Sequence, residues 1–205
     1  MKKLSMLFLL LLIIYAACVE IQPSTKLETQ SSPDTESVYD SALSAYGVFL
    51  DAYEPAPPED EDEQHEVVVT LILLDDDDVP ELAVADGEEP WNPVYLLQYN
   101  EETEMVEEIG SFSMYGQMYY IERSGFLLPM YFLSPMNGEV LLYQSGTFEI
   151  YESWEMDGND MPFVNGEAVS EDQYIAVSER WINADWTPVF VEGKMWRIED
   201  FPYQE

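Results

Sequence analysis

The sequence predicts an α+β domain in which an N-terminal helix packs on a mostly antiparallel β-meander sheet, with a short late helix. Three observations predict it. Apolar residues recur at helical spacing in "SVYDSALSAYGVFLDAY", residues 37–53, where Val38, Ala42, Ala45, Tyr46 and Phe49 share one face. From Val67 onward the chain is a succession of short runs rich in Val, Leu, Tyr and Phe, which suit a pleated, half-buried surface. Three dipeptides, Asn137-Gly138, Ser145-Gly146 and Glu192-Gly193, then separate such runs at hairpin spacing.

The first helix has candidate caps in Thr35 and Ser37 and is stopped by Pro55, Pro57 and Pro58. "PPEDEDEQHE", residues 57–66, has almost nothing to bury and reads as a solvated loop. It carries the only histidine, His65, but no second imidazole or thiolate accompanies it in the domain, so the ligand set of a transition metal is incomplete. Residues 67–74 are apolar except for Thr70, as a central strand requires. Shorter strand candidates follow at 81–85, 94–99, 105–109, 112–121 and 126–133. "SEDQYIAVSERWI", residues 170–182, reads as the second helix, with Ser170 as N-cap and Glu171 and Asp172 in its first turn. "WNPVYL" at Trp91 and "WTPVFV" at Trp186 echo one another, but a single short match falls short of a repeat.

The N-terminus reads as an export signal: Lys2 and Lys3 precede an apolar run, residues 7–14, and small residues follow. That run is shorter than the roughly 20 residues of a transmembrane helix. The signal ends in "YAAC", which resembles the lipobox of bacterial lipoproteins, with Tyr15 where that family has an aliphatic residue. The resemblance implies that Cys18, the only cysteine, is lipidated and becomes the new N-terminus. The alternative is an ordinary signal peptide that leaves Cys18 near the cut or removes it. The organisation expected is a signal peptide over residues 1–17, a lipidation Cys and Ser/Thr/Pro-rich tether over 18–35, and one domain over 36–205. The expected location is the outer face of the cell membrane, reached through the lipid on Cys18.

Charge narrows the partners. The chain has 42 acidic residues against 7 basic ones, for a net charge of −35. Phosphate contacts need Lys and Arg, so no nucleic acid is expected as a direct partner. The same balance argues against adhesion to an anionic membrane through a basic patch.

The acidity peaks in "LILLDDDDVPELAVADG", residues 71–87, where four adjacent carboxylates separate two apolar strands. Adjacent carboxylates repel one another. Either water solvates them all, or some wrap a hard cation. The segment resembles one in uncharacterised exported proteins and lipoproteins of Gram-positive bacteria, where a strand enters D-x-D-x-D-G-x-P-E-L and leaves as another strand. Those proteins also place a helix before it and an "nGeeVseeeY" stretch late in the chain, matched here by residues 38–50 and "NGEAVSEDQY" at 165–174. Aligned on Pro80, the resemblance puts Asp75 and Asp77 at the second and third alternating acids and Glu81 at its Glu. Leu73 takes the first acidic position, and Asp78 replaces the turn glycine. Calcium takes six to eight oxygens, which alternate carboxylates in a tight loop can supply. Asp75, Asp77 and Glu81 are therefore the candidate metal ligands and calcium the candidate cofactor; a solvated acidic turn is the plainer alternative.

No catalytic group stands out. The domain lacks a thiolate, a His-based triad and a phosphate-cradling glycine loop. A cell-surface lipoprotein acting as a binding or structural module, toward a protein or glycan ligand that the sequence does not name, is the functional expectation. The alternative is an extracellular glycoside hydrolase using an Asp/Glu pair. Aromatic residues could line a groove for such a substrate or simply fill the core.

Overall fold

Two antiparallel sheets and two helices stack in layers, in a computed structural model that describes residues 33–55, 57, 66–87, 93–113, 117–129 and 136–202. These residues fall in a single compact unit, Ser32–Glu205. The signal segment, Cys18, the tether up to residue 32, His65 and Trp91 lie outside the described residues.

Helix α1 (Pro33–Asp51) precedes strands β1 (Val67–Ile72), β2 (Glu81–Asp86), β3 (Pro93–Asn100) and β4 (Met105–Ser113). The second set comprises β5 (Tyr119–Tyr120), β6 (Phe126–Leu128), β7 (Asn137–Gln144), β8 (Thr147–Met156), β9 (Pro162–Val164) and β10 (Glu167–Ala168). Helix α2 (Glu171–Ile182), β11 (Thr187–Pro188), β12 (Trp196–Arg197) and a 3-10 turn (Ile198–Asp200) close the chain. The first sheet runs β12-β1-β2-β3-β4 and the second β10-β9-β8-β7-β6-β5-β11.

Strand alternation assigns the layers. On β2, Leu82 and Val84 point to α1 and pack with Ala42, Tyr46 and Leu50. Ala83 and Ala85 point the other way, into an inter-sheet core with Leu96, Leu127, Leu141 and Tyr143. The outer face of the second sheet packs Leu128, Val140 and Trp154 against Tyr174 and Trp181 of α2. Covered on both faces and paired on both edges, β2 is buried along its whole length. Each large apolar side chain so buried contributes roughly 1.5–3 kcal/mol.

The α+β class, the antiparallel pairing and both helices agree with the sequence reading. The capping box at Ser170 is complete: its hydroxyl accepts from the Gln173 N–H, and the Gln173 side chain accepts from the Ser170 N–H. Ser145-Gly146 forms the β7–β8 turn, with φ of 55° and 82°.

Other details differ. The meander is divided between two sheets. Helix α1 starts at Pro33, inside the stretch assigned to the tether, because proline suits the first helical position. It ends at Asp51, where tighter turns bring the Ala52 and Tyr53 amides to Phe49 O and Leu50 O. Residues 105–113 form one strand, where the sequence suggests two, with a bulge opposite Leu96 and Leu97. Asn137-Gly138 is no turn: both residues lie in β7, and Gly138 sits opposite Trp154 of β8. A Cβ built on Gly138 would clash with the Trp154 ring, so glycine here serves close approach. Glu192-Gly193 does turn the chain, with Lys194 N–H donating to Val191 O, but it joins no hairpin. It carries the chain from the second sheet to β12 in the first. The two halves of the Trp-x-Pro-Val echo also part: Pro93 opens an eight-residue inner strand, while Pro188 ends a two-residue edge strand.

Candidate functional site

The aspartate loop connects β1 to β2. Ile72 pairs with Glu81 across the two strands, so residues 73–80 leave and rejoin the sheet at one place. Both ends of the loop are anchored. Leu74 is buried in the inter-sheet core and Val79 in the core beneath α1. The Tyr46 hydroxyl, reaching over from α1, donates to Pro80 O at 2.8 Å and accepts from Tyr99 N–H at 3.0 Å.

Between these anchors the aspartates alternate in role. Asp75 Oδ1 accepts the Asp77 N–H at 3.1 Å, and Asp77 Oδ1 accepts the Val79 N–H at 2.7 Å. These two-residue Asx turns coil the loop and direct alternate carboxylates to one side. Asp76, Asp77 and Asp78 are exposed on the surface, and Asp75 is half-buried. Asp78 pairs with Arg123 at 2.8 Å, and the same guanidinium donates to Asp77 O at 2.9 Å.

Glu81 is the unusual member. It follows the β2 alternation with Ala83 and Ala85 into the inter-sheet core, where it is 0% exposed. Its Oε2 accepts the Leu74 N–H at 2.8 Å, but its buried Oε1 has no hydrogen-bond partner. Leaving a buried polar oxygen unpaired is costly, and more so when the carboxyl is ionised. Carboxylate oxygens of Asp75, Asp77 and Glu81 all lie within 4.8 Å of one another, so the structure brings the three sequence candidates together.

Electrostatics reflect this crowding. Burial pushes the Glu81 carboxyl up to about 8, against the Leu74 amide bond that lowers it and with Asp75 adding to the rise. Asp77 is raised to about 6, first by desolvation and then, past the opposing Val79 bond, by Asp75. The neighbouring Tyr143 hydroxyl is pushed up to about 12 by burial and by Glu81.

Such an arrangement suits a hard cation. Its donors are all carboxylate oxygens, and Glu81, which supplies one of them, has an unpartnered oxygen. Calcium–oxygen distances of about 2.3–2.6 Å allow one ion to bridge oxygens this far apart. Among the described residues, this is the group of three acids that could share a metal.

Sequence reasoning missed three supports: Arg123, the Tyr46 hydroxyl, and the burial of Glu81. In a chain with only seven basic residues, each arginine is a natural partner for an acid, but which acid depends on the fold. The other two arginines are likewise paired, Arg180 with Glu152 and Arg197 with Glu66. The aromatic side chains mostly fill cores: Phe112 and Tyr143 both pack on Phe148, and Phe126 packs on Trp181. No helix among the described residues is long and apolar enough to cross a membrane. No protein-family model, curated protein or solved structure matches the chain.

Proposed function

We propose that this protein is an exported, lipid-anchored binding or structural module of the cell surface, in which Asp75, Asp77 and Glu81 hold a calcium ion. The observation that carries the cation reading is the unpartnered Oε1 of the fully buried Glu81, grouped with two carboxylates of the adjoining loop. Calcium would supply the positive charge that this buried oxygen lacks. Leu73 adds no carboxylate, and the calcium would sit in a loop without the easing glycine, so the affinity expected is that of extracellular modules, with Kd of about 10⁻⁴ to 10⁻³ M.

The hydrolase alternative draws less support. A general acid needs a raised carboxyl within reach of the glycosidic oxygen. Glu81 and Asp77 both have raised carboxyls, but Glu81 is buried between the sheets and Asp77 is tied to the Val79 N–H.

Calcium at about ten times its Kd is expected to add about 1.4 kcal/mol of stability. That raises Tm by a few degrees in a domain of this size. Asp75→Asn with Asp77→Asn is expected to abolish the rise. Equal rises in both proteins, measured by scanning calorimetry, would reduce the effect to charge screening and leave a solvated acidic turn.

The anchor rests on "YAAC" and has its own test. The full-length protein expressed in a lipoprotein-processing bacterium is expected to partition with membranes, and Cys18→Ala is expected to release it. A soluble wild type whose N-terminus lies beyond Cys18 would overturn the lipid anchor without touching the cation site.

A further inference from the structure

We infer that the cation at Asp75, Asp77 and Glu81 acts as a clasp between the two sheets, fixing the turn at residues 122–125 of the second sheet onto the acidic loop of the first. The inference rests on the calcium reading above and adds what the ion controls. The stretch of backbone at Leu73 and Leu74 is the link. The peptide group between them donates its N–H to Glu81 Oε2 at 2.8 Å, and its carbonyl accepts the Arg123 N–H at 2.8 Å. One peptide unit thus separates the proposed ligand from the opposite sheet, and its two hydrogen bonds polarise one another.

Further bonds continue the seam. Leu74 O accepts the Gly125 N–H at 2.7 Å, and Gly125 O accepts the Tyr143 N–H of β7 at 2.8 Å. The Arg123 guanidinium closes the other side through Asp77 O and Asp78. The turn is held in a demanding conformation, with Arg123 at φ 58° and Gly125 at φ 75°. A Cβ at Gly125 would lie 2.7 Å from Tyr143 O, so the turn is seated against β7 with no slack.

An ion on Oε1 satisfies the orphan oxygen and leaves Oε2 free to hold Leu74. Without the ion, a rotation of the carboxyl that takes both oxygens away from the Leu74 N–H loosens its peptide group. A cleft of about 320 Å³, lined by Asp75, Asp76, Arg123, Gly125, Tyr143 and Gln144 among others, opens at this seam. The clasp would set its width.

Residue-resolved amide exchange on the full chain, with and without millimolar calcium, tests the inference. Calcium at about ten times its Kd is expected to slow the Arg123 and Gly125 amides by up to about tenfold. The Asn165 and Val169 amides, bonded at the other end of the second sheet to Ser153 O and Pro162 O, are expected to change much less. Asp77→Asn, altered at an exposed position, is expected to keep the fold and lose the calcium effect. If calorimetry detects calcium binding but Arg123 and Gly125 slow no more than Asn165 and Val169, the clasp is wrong and the cation site stands. If calorimetry detects no binding, both fall.

Discussion

Metal-free protein is expected to lose stability as pH rises from about 4.5 to about 8, and Glu81→Gln is expected to remove most of that loss. The sign follows from proton counting. The Glu81 carboxyl has an ordinary value of 4.5 and is raised by burial to about 8 in the fold. Between these values the folded state binds the proton that the unfolded state has lost, so stability falls with rising pH. The contribution is fully present below the unfolded value and gone once pH passes the folded one. Each pH unit inside the window costs about 1.4 kcal/mol. Over the whole window the loss is a few kcal/mol, a Tm change on the order of 10 °C in a domain of this size.

The amide introduced by Glu81→Gln would keep an acceptor for the Leu74 N–H and carry no charge at any pH. The variant is therefore expected to match wild type near pH 4.5, exceed it near pH 8, and lose any calcium response. General repulsion among 42 acidic residues also weakens the fold as pH rises, but it acts on both proteins. Parallel Tm–pH curves for the two would show that the buried carboxyl carries no special cost.

Trp154→Ala is expected to destabilise the domain by about 3–5 kcal/mol, through lost burial and the cavity it leaves. Trp154 is 1% exposed and fills the core under α2 with Leu128, Val140, Tyr174 and Trp181. Its ring also covers Gly138 across the β7–β8 pair. Gly138→Ala is thus expected to overpack the site at a cost of about 1–3 kcal/mol. The double variant should cost less than the two single losses together, since the ring that a Cβ would strike is gone. Urea denaturation of the three variants measures this coupling. Strict additivity would mean that Gly138 is not reserved for the indole.

These two cases also mark where sequence stops being readable. Ser170 and Gln173 announce the start of α2 because a capping box is satisfied within four residues. Ser145-Gly146 announces its hairpin for the same reason. Asn137-Gly138 looks identical in one dimension, yet its glycine answers to Trp154, which lies opposite only once β7 and β8 have paired. Alternation in β2 tells that Glu81 shares a face with Ala83 and Ala85, but not that a second sheet covers that face. Asp75, Asp77 and Glu81 can therefore be chosen from spacing and resemblance, while the buried, unpartnered Oε1 cannot. Arg123 is beyond reach altogether, because its contact with Asp78 joins loops of different sheets.

The central claim is that Asp75, Asp77 and Glu81 share a cation, and anomalous diffraction from crystals grown in millimolar calcium tests it most directly. The expected result is an anomalous peak between the three carboxyls, with oxygens of each at about 2.3–2.6 Å. A map with no peak there, and Glu81 Oε1 bonded only to water or to protein, would contradict it.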